Sequence, residues 1–107
     1  MRAPFLLACV AVLLSPLPPV AAAAPQTHVV VIDKMKFGPV PASIRAGDKI
    51  LWVNKDMFRH TATSKAAGFD VDLPAGARAA TVVRKAGAFR LSCRYHPGMR
   101  AILKVSN

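Results

Sequence analysis

The heptapeptide Cys93-Arg94-Tyr95-His96-Pro97-Gly98-Met99 sets a thiol, an imidazole and a thioether three residues apart in one short segment. Pro97 and Gly98 make it a tight, non-helical loop. On a strand, side chains three apart point to opposite faces, whereas a loop curling around one point aims all three inward. Thiolate, imidazole and thioether are soft or borderline donors, and they suit copper better than magnesium or calcium. A lone Cys is often a core residue, a lone His a solvated loop residue and a lone Met core filler. The common spacing argues instead that Cys93, His96 and Met99 are ligands of one metal ion.

Around the loop the chain reads as strands. Apolar residues alternate or run briefly between Gly and Pro at 29–32, 42–45, 50–53, 61–64, 69–73, 79–84, 89–93 and 101–105. Gly47-Asp48, Gly76 and Gly87 mark turns, and no window of a dozen residues carries a helical stripe. Many short strands at regular spacing predict an all-β antiparallel sandwich or barrel of about eight strands. Trp52, Phe37, Phe69 and Phe89 are its candidate core aromatics. Phe89 and Leu91 should point inward and Arg90 outward, while Met35 and Met57 read as packing.

A second imidazole is needed to complete the site. His60 opens the strand at 61–64, and His28, expected before the first strand and exposed, is the other candidate. Two His and one Cys in a plane, with a long weak bond to Met, are the arrangement of a blue-copper electron-transfer site.

On Cys93-x-x-His96-x-x-Met99, the His96-Pro97 pair, and the run from Gly47-Asp48 through Trp52-Val53-Asn54 to His60-Thr61, the chain resembles the cupredoxin (type 1 blue copper protein) family. The short gap before Met99 makes it amicyanin-like. The resemblance covers roughly Val29 to Val105. It implies a Greek-key sandwich of eight strands and one type 1 copper held by His60, Cys93, His96 and Met99, with electron transfer in the periplasm. It implies that the edge of His96 is the exit for the electron, in an apolar patch with Pro97, Pro39 and Met57. Thr61 stands where many members have Asn or Ser and is expected to tie the two ligand loops together. Arg94 and Tyr95 depart from the family's loop, and Arg94 puts a positive charge beside the thiolate. A dehydrogenase or a c-type cytochrome is the kind of partner implied.

The first 24 residues are not domain material. Arg2, the apolar stretch 5–14, the helix breakers of 15–19 and the small residues of 21–24 read as a secretory signal peptide cut near 22–24. The apolar run is shorter than the roughly 20 residues that a bilayer span needs, so no stable membrane insertion is expected. Residues 25–107 then form one small domain. Cys9 leaves with the signal, so no disulfide is available, and a metal on Cys93 would supply stability in its place. The 107-residue chain carries fifteen Lys and Arg against five acids, and all five are Asp. Losing Arg2 leaves a net charge of +9, which favours acidic partners. The basic residues are scattered, which argues against nucleic acid.

The reading is thus an exported, monomeric electron carrier and no enzyme, with a protein for copper delivery, storage or tolerance as the alternative. Cys93 and His96 as nucleophile and base is disfavoured, because no carboxylate lies near them in sequence.

Overall fold

Alternation of apolar and polar residues gives eight strands in a computed structural model, which describes residues 1–18 and 24–107. They are β1 (Thr27–Asp33), β2 (Lys36–Phe37), β3 (Lys49–Asn54), β4 (His60–Ser64), β5 (Phe69–Leu73), β6 (Arg78–Val82), β7 (Gly87–Ser92) and β8 (Arg100–Val105). They form two sheets, β2-β1-β3-β6 and β5-β4-β7-β8. β1 and β3 run parallel, and the other pairs are antiparallel. The result is a sandwich of two facing sheets.

Period 2 decides which residues meet between the sheets. Val30 and Ile32 of β1, Ile50 and Trp52 of β3, Leu91 of β7 and Leu103 of β8 are fully buried. Trp52 fills the centre, with the rings of Phe37 and Phe69 centred 6.4 and 5.8 Å from its own. Phe89 packs half-buried against this core while Arg90 points outward, as the alternation requires.

Besides the parallel β1–β3 pair, which departs from the antiparallel expectation, four features differ from what the sequence predicts. Residues 42–45 form no strand. Ile44 is fully buried, but Arg45 makes only an isolated bridge to Ser106. Pro39 and Pro41 lead into this segment, and proline cannot donate to a ladder. The amides of Arg45 and Ala46 are satisfied instead by the Asp48 carboxylate and the Ser106 carbonyl. In its place stands the two-residue β2, which pairs with β1 through a tight turn. Lys34 and Met35 hold φ values of 51° and 61° there. Turns of this hand favour Gly or Asn, so neither residue announces one.

His28 is the third. β1 begins at Thr27, earlier than predicted, so the alternation turns His28 inward with Val30 and Ile32. It is 8% exposed, and its Nε2 lies 2.8 Å from Asp48 Oδ2. The fourth is the pair Met35 and Met57, which are not packing: they are 37% and 87% exposed.

Asp48 ties the start of β1 to the turn before β3. It accepts the Gln26 amide, the His28 ring and the Arg45 amide, in that order of effect, and its pKa is pushed down to about 2. A depressed carboxyl adds stability above its unfolded value of about 4 and loses it as pH falls through its folded value. Asp48→Asn should therefore lower stability at neutral pH and flatten its decline between about pH 4 and about pH 2. Urea midpoints measured across that range check this.

Among the described residues, 1–18 form neither helix nor strand, and Phe5 and Leu13 are 98% and 90% exposed. No helix there is long and apolar enough to cross a membrane. Residues 19–23, with Pro19 and most of the predicted cleavage region, lie outside the described residues.

Candidate metal centre

β4 opens on His60, β7 ends just before Cys93, and β8 begins just after Met99, so three strand ends deliver the predicted residues to one end of the sandwich. The loop is closed by its own backbone. The Met99 amide donates to the His96 carbonyl at 2.9 Å, a turn with Pro97 at its favoured second position. The Cys93 amide donates to the Met99 carbonyl at 3.3 Å, and Arg100 Nε donates to the Pro97 carbonyl at 2.9 Å.

Inside the loop, Cys93 Sγ lies 3.7 Å from His60 Nδ1 and 3.5 Å from His96 Nδ1. The two Nδ1 atoms are 3.1 Å apart. Donors so spaced are what three ligands about 2.0–2.3 Å from one central ion produce. His60 is fully buried, Cys93 and Met99 are 3% exposed, and His96 is half-buried. Met99 is thus in place at the end of the loop, buried beside the three converging donors.

Chemistry fixes which nitrogen of His60 is free. Its Nε2 lies 2.7 Å from Asp56 Oδ2. An ionised carboxylate only accepts, so Nε2 carries the proton and Nδ1 turns a lone pair towards Cys93. Asp56 also accepts the Lys34 and Met35 amides at 2.7 and 2.9 Å. Burial pushes its pKa up, but the Met35 amide, His60 and the Lys34 amide outweigh it, and the carboxyl sits below its ordinary value. The donor set therefore fits a soft or borderline ion. Two imidazole Nδ1 atoms and a sulfur face one point, and the outer nitrogen of His60 is already anchored.

Asn54 supports this arrangement from the end of β3. It is buried, and its Nδ2 donates to the carbonyls of Phe58, Leu73 and Pro74 at 2.8, 3.0 and 3.2 Å. Its Oδ1 accepts the Asp56 amide at 2.9 Å. The loop presenting Asp56 and His60 is thus fixed at both ends. Asn54→Ala strands several buried groups, and it should cost about 2–4 kcal/mol by chemical denaturation.

The predicted tie between the ligand loops is present. The Thr61 amide donates to Cys93 Sγ at 3.4 Å, and Thr61 Oγ1 accepts the Arg94 amide at 2.9 Å. The guanidinium of Arg94 pairs with Asp70 and lies 5.9 Å from the centre of the Tyr95 ring. Its charge is offset by that carboxylate. Arg59 pairs in the same way with Asp72 at 2.8 Å.

Of the three converging donors, His96 is the most exposed. Phe58, 57% exposed, stands edge-on to it with ring centres 6.5 Å apart. Met57, Tyr95 and Pro97 are exposed in the adjoining segments. Phe58 and Asp56 were not singled out by the sequence reading. The signal for Asp56 was the Asn54-Lys55-Asp56 run, in which an Asn side chain capping a turn two residues on is a common device.

A cysteine sulfur, two imidazoles and a thioether-bearing loop at one end of an eight-stranded sandwich define a small β protein with the donor set of a soft-metal site. The chain belongs to the cupredoxin-like domain family, whose model matches residues 5–105. A search of the curated proteins found no match. Among solved structures, the fold is similar to the copper(I) form of an amicyanin variant at TM-score 0.65 and 24% identity, covering 78% of this chain and 86% of that one. A second amicyanin variant, also with copper(I), gives 0.64 and 23%, covering 75% and 82%. A copper-containing nitrite reductase from Thermus scotoductus gives 0.66 and 26%, covering 87% of this chain but 25% of that one.

Proposed function

We propose that this chain is an exported electron carrier that holds one copper ion with His60, Cys93, His96 and the axial Met99. The observation that carries this is the convergence of two Nδ1 atoms and one sulfur within 3.7 Å of one another where the start of β4 meets a loop closed by its own hydrogen bonds. Copper bound there would supply a one-electron Cu(I)/Cu(II) couple. The chain's own part is to keep the donors still. The anchored nitrogen of His60, the Thr61 amide on the sulfur and the turn 96–99 all limit rearrangement when the charge at the site changes.

His96 supplies the route out. It is the one half-exposed donor, and Phe58, Met57 and Pro97 give a partner an apolar surface to meet near its ring. The net charge of +9 steers an acidic redox protein, such as a dehydrogenase or a c-type cytochrome, towards a weak and brief encounter of a monomer. Residues 1–24 would be removed on export to the periplasm. The described part of them adds no element to the sandwich, which supports this reading.

Burial of Cys93 and His60 favours electron transfer over copper delivery, since a cargo site must open to hand its metal on. It also disfavours a nucleophilic cysteine, which needs access to substrate. The test is to cycle the copper-loaded protein between oxidant and reductant in the presence of a copper(I) chelator. A carrier keeps its copper through many cycles, and its reaction with an acidic redox protein slows as salt shortens the Debye length from about 30 to about 8 Å. Prompt loss of copper to the chelator on reduction would favour delivery.

A further inference from the structure

Four residues form a closed ring of hydrogen bonds behind the Cys93 loop. Thr61 Oγ1 lies 2.9 Å from the Arg94 amide and 2.8 Å from Thr63 Oγ1. Thr63 Oγ1 lies 2.7 Å from Asp70 Oδ1, and Asp70 Oδ2 meets the guanidinium of Arg94. Thr61 and Thr63 share one face of β4, and Thr63 stands directly opposite Asp70 on β5.

The direction of every bond follows from the two ends of the chain. A carboxylate only accepts, so the Thr63 hydroxyl donates to Asp70. Thr63 then offers Thr61 only a lone pair, and the Thr61 hydroxyl donates to it. Thr61 Oγ1 is left with lone pairs facing the Arg94 amide, which can only donate. Each donation polarises the next. Thr61 also gives its own amide to Cys93 Sγ at 3.4 Å. The Arg94 and Asp70 side chains are 53% and 45% exposed, and a pair so exposed adds little stability by itself. The consequence of the carboxylate is the orientation of the two hydroxyls.

We propose that Asp70 is a positioning residue for the Cys93 loop, acting from β5 through Thr63 and Thr61 to hold the Arg94 amide and with it the sulfur. The part concerning the metal rests on the copper reading above, whereas the part concerning the loop does not.

The test compares Thr63→Val, Asp70→Ala and the conservative Thr63→Ser. Hydrogen exchange of the Arg94 amide is read on the full chain as purified, and the Cu(I)/Cu(II) ratio on the copper-loaded protein at one fixed potential. Thr63→Val and Asp70→Ala should speed Arg94 exchange by about three- to tenfold, the worth of one net hydrogen bond. Thr63→Val, which leaves the charges in place, should shift the ratio towards Cu(II) by about threefold or more, because a sulfur less firmly held by the Thr61 amide donates more strongly to the metal. Asp70→Ala also frees the Arg94 charge and is read by Arg94 exchange alone. Thr63→Ser should match the parent in both. A lower melting temperature with Arg94 exchange and ratio both unchanged would overturn the proposal, leaving the ring a stability feature only. Should Thr63→Val fail to fold, the surface variant Asp70→Ala decides. Should the parent chain bind no copper, the electron-carrier reading fails, and Arg94 exchange alone decides the role of Asp70.

Discussion

Replacing Cys93 by serine is expected to remove the intense visible colour of the copper-loaded protein and to weaken metal binding by more than the roughly 10–100-fold typical of losing a supporting partner. Sulfur is the soft member of the donor set and the one that binds covalently enough to give Cu(II) strong colour. A serine hydroxyl is a hard donor that keeps its proton, so the two imidazoles are left with a pale nitrogen site at best. The metal-free fold should survive. Cys93 is 3% exposed, and its sulfur contacts the Thr61 amide, which a hydroxyl in the same place can also accept. Visible absorption on titration with Cu(II), set beside thermal melting of the metal-free protein, separates the two effects. An intense band retained by Cys93→Ser would remove the thiolate from the site.

Asp56→Ala is expected to have the next largest effect. One carboxylate there serves three donors, the Nε2–H of His60 and the amides of Lys34 and Met35. Without it His60 loses the contact that fixes its tautomer and ring plane, and metal affinity should fall by about 10–100-fold. The same change unlocks the turn between β1 and β2, where two residues other than glycine sit at positive φ at a cost of order 1–3 kcal/mol each. Adding Met35→Gly to Asp56→Ala separates the consequences. Glycine relieves the turn and should recover part of the lost stability, but it leaves His60 unanchored, so metal affinity stays low. Isothermal titration and urea melts of the single and double variants read the two quantities. Affinity that recovers together with stability would mean that Asp56 acts through the turn alone.

These two residues also show what the sequence could and could not convey. Cys93, His96 and Met99 were legible because their donors lie within seven residues of one loop, so no tertiary information was needed to bring them together. His60 required the further step that one more imidazole must come from elsewhere, and the strand that it opens delivers it. Asp56 was legible only as the end of an Asn54-capped turn, not as a partner of His60. It is four residues before His60 on an irregular loop, and its meeting with the ring depends on the three carbonyls that hold Asn54. The strands were legible from period 2 wherever a ladder forms. Residues 42–45 carry a similar pattern but sit behind two prolines, and Ile44 plugs the core beside a single isolated bridge instead of a ladder. β2 was invisible because its turn uses Lys and Met in a conformation usually given to Gly or Asn. His28 was misplaced because two extra residues of β1 bring it onto the inner face, where Asp48 receives it. Phe58 gives no sign in the sequence that it stands against His96, since nothing local brings residues 58 and 96 together.

The central claim is that the sulfur at position 93 and the two imidazoles bind one copper ion together. Titrating the purified protein with Cu(II) while following both the visible spectrum and the reactivity of the Cys93 thiol tests it most directly. The account predicts an intense band in the red that saturates at one equivalent, with the thiol shielded from alkylation. A colourless protein whose Cys93 alkylates at the same rate with and without copper would contradict it.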